Sequence, residues 1–230
     1  DSNTGADTIT LNASDTNWSI AAATLDTALT AKVLLVGSLT VTDIANDDEA
    51  ASLTAYTTAK TAATMNTLTA TDTTWSVVAA TLDTALTAGV RLAGDLTVTN
   101  ISAETNASTT YSTTNTGATN VLLTASDNNW SVTATNLNAD ISSSIKYSGA
   151  LTVTGISTET NISTTYSKNN TGASSVALEA SDGTWSVEAG ALNTDLGDDF
   201  KYLGDLTVTG IATGNKTAAL TDYTTAKTGA

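Results

Sequence analysis

The chain contains no cysteine, no proline and no histidine, and among its 230 residues there is one phenylalanine and one methionine. Without cysteine there can be no disulfide framework, and without cysteine and histidine no zinc site of the Cys/His type. Without histidine, the usual acid–base catalyst at neutral pH is missing. Cations are scarce too: 8 Lys and Arg stand against 23 Asp and Glu, a formal charge of −15. Such a surface repels nucleic acid and anionic lipid, so neither is expected as a partner. The longest apolar runs reach only about half the length of a membrane-spanning helix, so no span is expected.

Hydroxyls fill the gap. Threonine occurs 51 times and serine 22 times, while charged residues make up only 13% and hydrophobic residues 40%. A disordered chain carries more charge, more proline and fewer β-branched residues. Here Val, Ile, Leu and Thr alternate, which favours β-structure with a hydroxyl-covered face. Lack of cysteine fits the cytosol or a bacterial or archaeal exterior. The acidic, lysine-poor surface favours the outside of the cell. The first residues, Asp1-Ser2-Asn3-Thr4, show no signal-peptide pattern, as expected of a processed chain or a piece of a longer one.

Self-similarity sets the architecture. Trp18, Trp75, Trp130 and Trp185 sit in one phrase: SDTNWSI, TDTTWSV, SDNNWSV and SDGTWSV. Each is followed at a fixed distance by Gly37, Gly94, Gly149 or Gly204, opening GSLTVTDI, GDLTVTNI, GALTVTGI or GDLTVTGI. Leu25, Leu82, Leu137 and Leu192 share one register between them. The expected repeats are 1–63, 64–118, 119–173 and 174–230. Asn115-Thr-Gly-Ala118 and Asn170-Thr-Gly-Ala173 link repeats, and the same phase recurs at Asn3-Thr-Gly-Ala6 and Lys227-Thr-Gly-Ala230. Terminal caps of repeat proteins are atypical. These ends read as interior repeat, so a longer array or a protomer that continues into a neighbour is expected.

Within the third repeat, Val121–Ala125 reads as a strand and Ser126–Asn129 as a turn. The stretch after each tryptophan, SIAAATLDTAL in the first repeat, predicts a short helix with Ser19 as N-cap. Ile145–Tyr147 alternates, Ser148-Gly149 reads as a bulge or turn, and Leu151–Thr154 is a strand with both threonines outward. Ser157 to Ala173 reads as an extended outer loop. One unit of about 55 residues is too small to stand alone, and stacking solves that. The expected fold is mainly β: a right-handed parallel β-solenoid with two strand layers and a short helix per repeat. A string of small independent β-rich domains is the alternative.

The phrases SLTVTDIAND, TLDTALTA and TWSVEAGALNTDL resemble the low-complexity repeats of giant extracellular proteins of cyanobacteria and other bacteria. That resemblance implies a secreted surface, sheath or adhesin role and transfers no site residues.

Asp15, Asp72, Asp127 and Asp182 each precede a tryptophan by three positions. They are the candidate calcium ligands, with Asn17 and Asn129 as further oxygen donors. A complete EF-hand set is missing, and an Asx-turn is the favoured reading of the column. Asp26, Asp83, Asn138 and Asn193 form a second column, which suits a stacked hydrogen-bonding ladder. Asp47-Asp48-Glu49 and Asp198-Asp199 read as solvated loops. The pairs Thr40/Thr42, Thr97/Thr99, Thr152/Thr154 and Thr207/Thr209 raise an ice-binding surface as an alternative. Eight Asn-x-Ser/Thr sequons, at Asn12, Asn17, Asn100, Asn106, Asn129, Asn161, Asn169 and Asn215, are about what this composition produces by chance. No base stands beside a nucleophile and no glycine loop cradles phosphate, so neither an enzyme nor a cofactor is expected. The expected function is a structural extracellular repeat protein that extends a surface filament, sheath or adhesin stalk. Its expected partner is itself. An ice- or glycan-binding module is the second reading.

Overall fold

Alternation of Leu or Val with Thr sends apolar side chains to one face of a strand and hydroxyls to the other. A computed structural model describes residues 7–102, 106–157 and 162–230. It builds strands from every such phrase, and the chain divides into two compact units, 1–123 and 124–230. The link Asn3-Thr-Gly-Ala6 and the sequon at Asn161 lie outside the described residues.

The first unit runs β1 (Ile9–Ala21), α1 (Ala22–Thr30), β2 (Val33–Ile44), α2 (Glu49–Ala55), α3 (Thr58–Thr61), β3 (Met65–Val78), α4 (Ala79–Thr87), β4 (Val90–Ile101), α5 (Ala107–Thr110) and α6 (Thr113–Thr116). Strand β5 (Asn120–Thr133) begins at its end and continues into the second unit. That unit adds α7 (Ala134–Ser142), β6 (Ile145–Ile156), α8 (Ile162–Thr165), α9 (Lys168–Thr171), β7 (Ser175–Glu188), α10 (Ala189–Gly197), β8 (Phe200–Thr209), α11 (Lys216–Asp222) and α12 (Thr225–Thr228). Sheet order is sequence order in each: β1-β2-β3-β4, then β5-β6-β7-β8. Pairing is parallel throughout the recorded registers.

The protein is therefore mainly β, with a parallel sheet and short helices. The expected two strand layers are not what forms: the two strands of one repeat lie side by side in the same sheet. The long helices α1, α4, α7 and α10 pack against β2, β4, β6 and β8 respectively. Leu25, Leu82, Leu137 and Leu192, one from each nine-residue helix, are fully buried.

Three local expectations are corrected. The Ser-Asp-x-Asn cluster does not end a strand; it is a bulge inside one, where Asn12 to Asn17 of β1 spans only Val36 to Ser38 of β2. The helix starts later than Ser19. Ser19 still pairs with Thr40 in the sheet, and Ala21 stands at the N-cap without a side-chain bond. After Ile156 the expected extended loop instead carries two short helices, Ile162–Thr165 and Lys168–Thr171. Tyr166 N–H reaches Ile162 O, and Ser167 caps the next turn by accepting from Asn170 N. Such helices of four residues have no stability alone. Thr116 and Thr171 fix the Thr-Gly-Ala links: each is buried, donates to the carbonyl four residues back and accepts from the alanine N–H two residues on.

The strands of one repeat pair along both halves, whereas successive repeats pair along one half only. The second half of β2, Ser38–Val41, lies between Asn17–Ile20 of β1 and Met65–Leu68 of β3. The first half of β3 pairs on its other side with Val90–Ala93. Half-strands of two successive repeats thus share one ladder.

Candidate functional site

The tryptophan phrase, the bulge and the distant glycine form one construction. Asp15, Asp72, Asp127 and Asp182 each accept the N–H two residues on, from Asn17, Thr74, Asn129 and Thr184, at 2.9–3.1 Å. The residue between lies at positive φ: Thr16, Thr73, Asn128 and Gly183. The bulge carbonyl then presses on the glycine of the next strand. A Cβ built on Gly149 would fall on Asn128 O, and the other three glycines meet the same obstacle. The indole closes the loop. Trp18, Trp75, Trp130 and Trp185 donate Nε1–H at 3.0 Å to the carbonyls of Val36, Ala93, Ser148 and Leu203, the residues just before those glycines.

The carboxylates at Asp72 and Asp182 are held below the ordinary carboxylate range, first by the backbone N–H of Thr74 and of Thr184. Their oxygens are engaged in the turn, and Asp72 also accepts from Asn46 at 2.8 Å. Among the described residues no group of three or more His, Cys, Asp or Glu is placed to hold a metal ion. Calcium chelation is accordingly expected to leave the thermal midpoint unchanged within about a degree. A fall of many degrees in differential scanning calorimetry with EDTA would reveal a bound ion, since native-state ligands stabilise by mass action.

The second column does not stack on itself. Tyr56 and Tyr111 donate to Asp26 and Asp83 at 2.9 Å, Tyr223 to Asn193 at 2.9 Å, and Tyr166 bonds Asn138. Each pair ties the long helix of a repeat to the short ones after it. Burial, then the neighbouring carboxylate, pushes the Tyr56 and Tyr111 hydroxyls well above their ordinary value near 10.

A third set was not singled out from the sequence. Tyr147 and Tyr202 donate to the buried carboxylates Asp140 and Asp195 and meet Trp130 and Trp185 edge-on, with ring centroids 4.9 and 5.0 Å apart. Earlier repeats hold Leu35 with Ala28 and Leu92 with Ala85 at the same positions. The joint change from Leu/Ala to Tyr/Asp was the available signal. Tyr147→Phe strands a buried carboxylate and should cost about 1–3 kcal/mol. Tyr147→Leu combined with Asp140→Ala should cost less than the sum of the single changes, with a coupling of roughly 0.5–3 kcal/mol by urea titration. Strict additivity would show that the pair is not a unit.

Outward rows follow the register. Ser19, Thr40, Thr67 and Arg91 make one row; Thr152, Ala177 and Lys201 make another. The hydroxyl ranks are thus broken by alanine and by cations. Trp75, Trp130 and Trp185 are buried and Trp18 is half-buried. A groove of about 420 Å³ beside α1 is lined by Asp26, Asp43, Asp48 and Tyr56, with Asp26 already bonded to that tyrosine.

The repeat junction is the most organised feature. Leu39, Val41 and Ile44 face Asn66, Leu68 and Ala70 across β2 and β3. Leu151, Val153 and Ile156 face Val176, Leu178 and Ala180 across β6 and β7. All twelve are buried. In the first unit Leu53 of α2 is buried over the next repeat, and Glu49 accepts Ser76 N–H at 3.1 Å. Thr58 bonds Ala88 O through its N–H and hydroxyl, at 3.2 and 3.0 Å. In the second unit Lys168 meets Asp199 at 2.6 Å. No protein family, curated protein or solved structure matches the chain.

Proposed function

We infer that this is a structural repeat protein of the cell exterior, whose work is reach and durability in a surface filament, sheath or adhesin stalk. The observation that carries the reading is the junction. The β2–β3 and β6–β7 ladders have the same register, residue for residue, and matching buried columns that are apolar except for Asn66, which stands where Val176 does. A contact that repeats in register is a rule for adding units, and arrays built on such a rule gain stability from each interface. In that sense further repeats prolong the sheet as a solenoid does. The tryptophans, glycines and aspartates of the phrase serve each unit's own construction. Absence of Cys and scarcity of Met also make the material resistant to oxidation.

An ice- or glycan-binding module has less support, because the hydroxyl rows are interrupted and three of the indoles are covered. Immuno-electron microscopy of native cells with antibody against this chain tests the reading. Label along extracellular fibres or a surface layer is expected. Label confined to the cytoplasm, or to dispersed particles, would overturn it.

A further inference from the structure

The same sequence positions are buried inside a junction and bare at the two ends of the described fold. Leu53 of α2 is 1% exposed, whereas Leu220 of α11, in the same phrase Leu-Thr-x-Tyr, is 80% exposed. Leu68 is fully covered, whereas its counterpart Leu11 is 40% exposed. Leu206, Val208 and Ile211 are only half-buried, where Leu39, Val41 and Ile44 are covered by β3. Leu206 to Thr209 pair with β7 on one side. Their other edge is the one that β2 offers to β3.

The geometry points to a specific interaction surface: the outer edge of β8 with α11 docks the β1 face of a second copy of this chain. This rests on the array reading and specifies its partner and register. The internal ladder, carried over position by position, sets Leu206 against Ile9, Thr207 against Thr10, Val208 against Leu11 and Ile211 against Ala13 of the second copy. Leu220 then covers the second copy's β1 as Leu53 covers β3, and Thr225 reaches Ala31 O as Thr58 reaches Ala88 O. One internal bond has no equivalent, because Lys216 stands where Glu49 accepts Ser76 N–H. The contact is head-to-tail, so it leaves a free face at each end and propagates. Unpaired strand edges are the templates for such pairing. Since each copy carries −15, added salt screens repulsion and favours association.

Cysteine pairs test the register directly in a chain that has no cysteine of its own. Oxidised Thr10→Cys/Thr207→Cys protein should give a ladder of covalent multimers, in several-fold higher yield than Thr8→Cys/Thr207→Cys or Asn12→Cys/Thr207→Cys. Sedimentation of the unmodified chain should show association that rises with concentration and with salt. Leu220→Asp should abolish it without lowering the thermal midpoint, because that side chain is already bare. A monomer at all concentrations, or equal cross-linking in all three pairs, would overturn the docking proposal. A second chain, with residues 7–63 joined after Ala230, separates the two readings. Hydrogen-exchange protection of 206–222 in that chain, without association of the 230-residue chain, keeps the array and removes the intermolecular contact. Loss of both removes the array reading as well.

Discussion

Gly149→Ala should be among the most damaging single-methyl additions in the protein. Gly149 lies at φ +108, and the new Cβ would fall on the backbone carbonyl of Asn128. Neither partner is a flexible side chain that can swing away. Backbone strain of this kind costs roughly 1–3 kcal/mol, and forcing a methyl into filled space costs roughly another 1–3 kcal/mol. Gly155 is the control. It also has positive φ, +66, but nothing lies within 4 Å of its added Cβ, and Asp43 and Asn100 hold the same place in earlier repeats. Gly155→Ala should therefore cost only about 1–2 kcal/mol. Urea denaturation followed by circular dichroism measures both. Equal losses at the two sites would show that the bulge does not need the glycine beneath it.

Trp130→Ala should cost roughly 3–5 kcal/mol, the usual penalty for emptying a buried aromatic site. Three contacts disappear together: a side chain that is 2% exposed, the edge-on packing against Tyr147, and the indole N–H on Ser148 O. Trp130→Phe should recover the packing but leave that carbonyl without its donor, and so fall between the two. Hydrogen exchange should place the loosened amides in repeat 119–173 and its direct neighbours, because contacts in repeat proteins are nearest-neighbour. Trp18→Ala should cost less, since Trp18 is half-buried. β3 carries α2 of the preceding repeat above it, whereas no described helix precedes β1. A cost at Trp130 below that at Trp18 would reverse the assigned roles.

The period, the β class and the special standing of Trp and Gly were legible because identical side chains recur at fixed steps. The strands were legible in Leu39-Thr-Val-Thr42 and its copies, and their parallel pairing in the stacking that the repeats demand. What escaped has a physical cause in each case. Ser126-Asp-Asn-Asn129 carries the same Asx chemistry whether a strand ends or merely bulges, so composition could not separate the two. Ser19 is a good N-cap residue, but pairing with Thr40 keeps the chain extended past it. The Thr/Ser/Asn stretch before Tyr166 has little intrinsic helix preference. Its short turns exist because Tyr166 anchors them to Asn138 on the long helix. The Asp26 column was visible as a column, yet its partner lay 30 residues away in Tyr56. The substitution of Leu and Ala by Tyr and Asp was readable only by comparing two columns at once.

Because each strand pairs with the strands next to it in sequence, the ladders β1–β2, β2–β3, β3–β4, β6–β7 and β7–β8 join residues only 21 to 27 positions apart. No contact of that kind depends on how many units lie beyond. A gene encoding such a chain can gain or lose a whole period by slippage or unequal exchange and still encode matching junctions. Loss of a single residue within a half-strand instead sends leucines to the water side and threonines inward. Length is thus free to vary between generations in steps of one period, while the spacing inside a period is held fast.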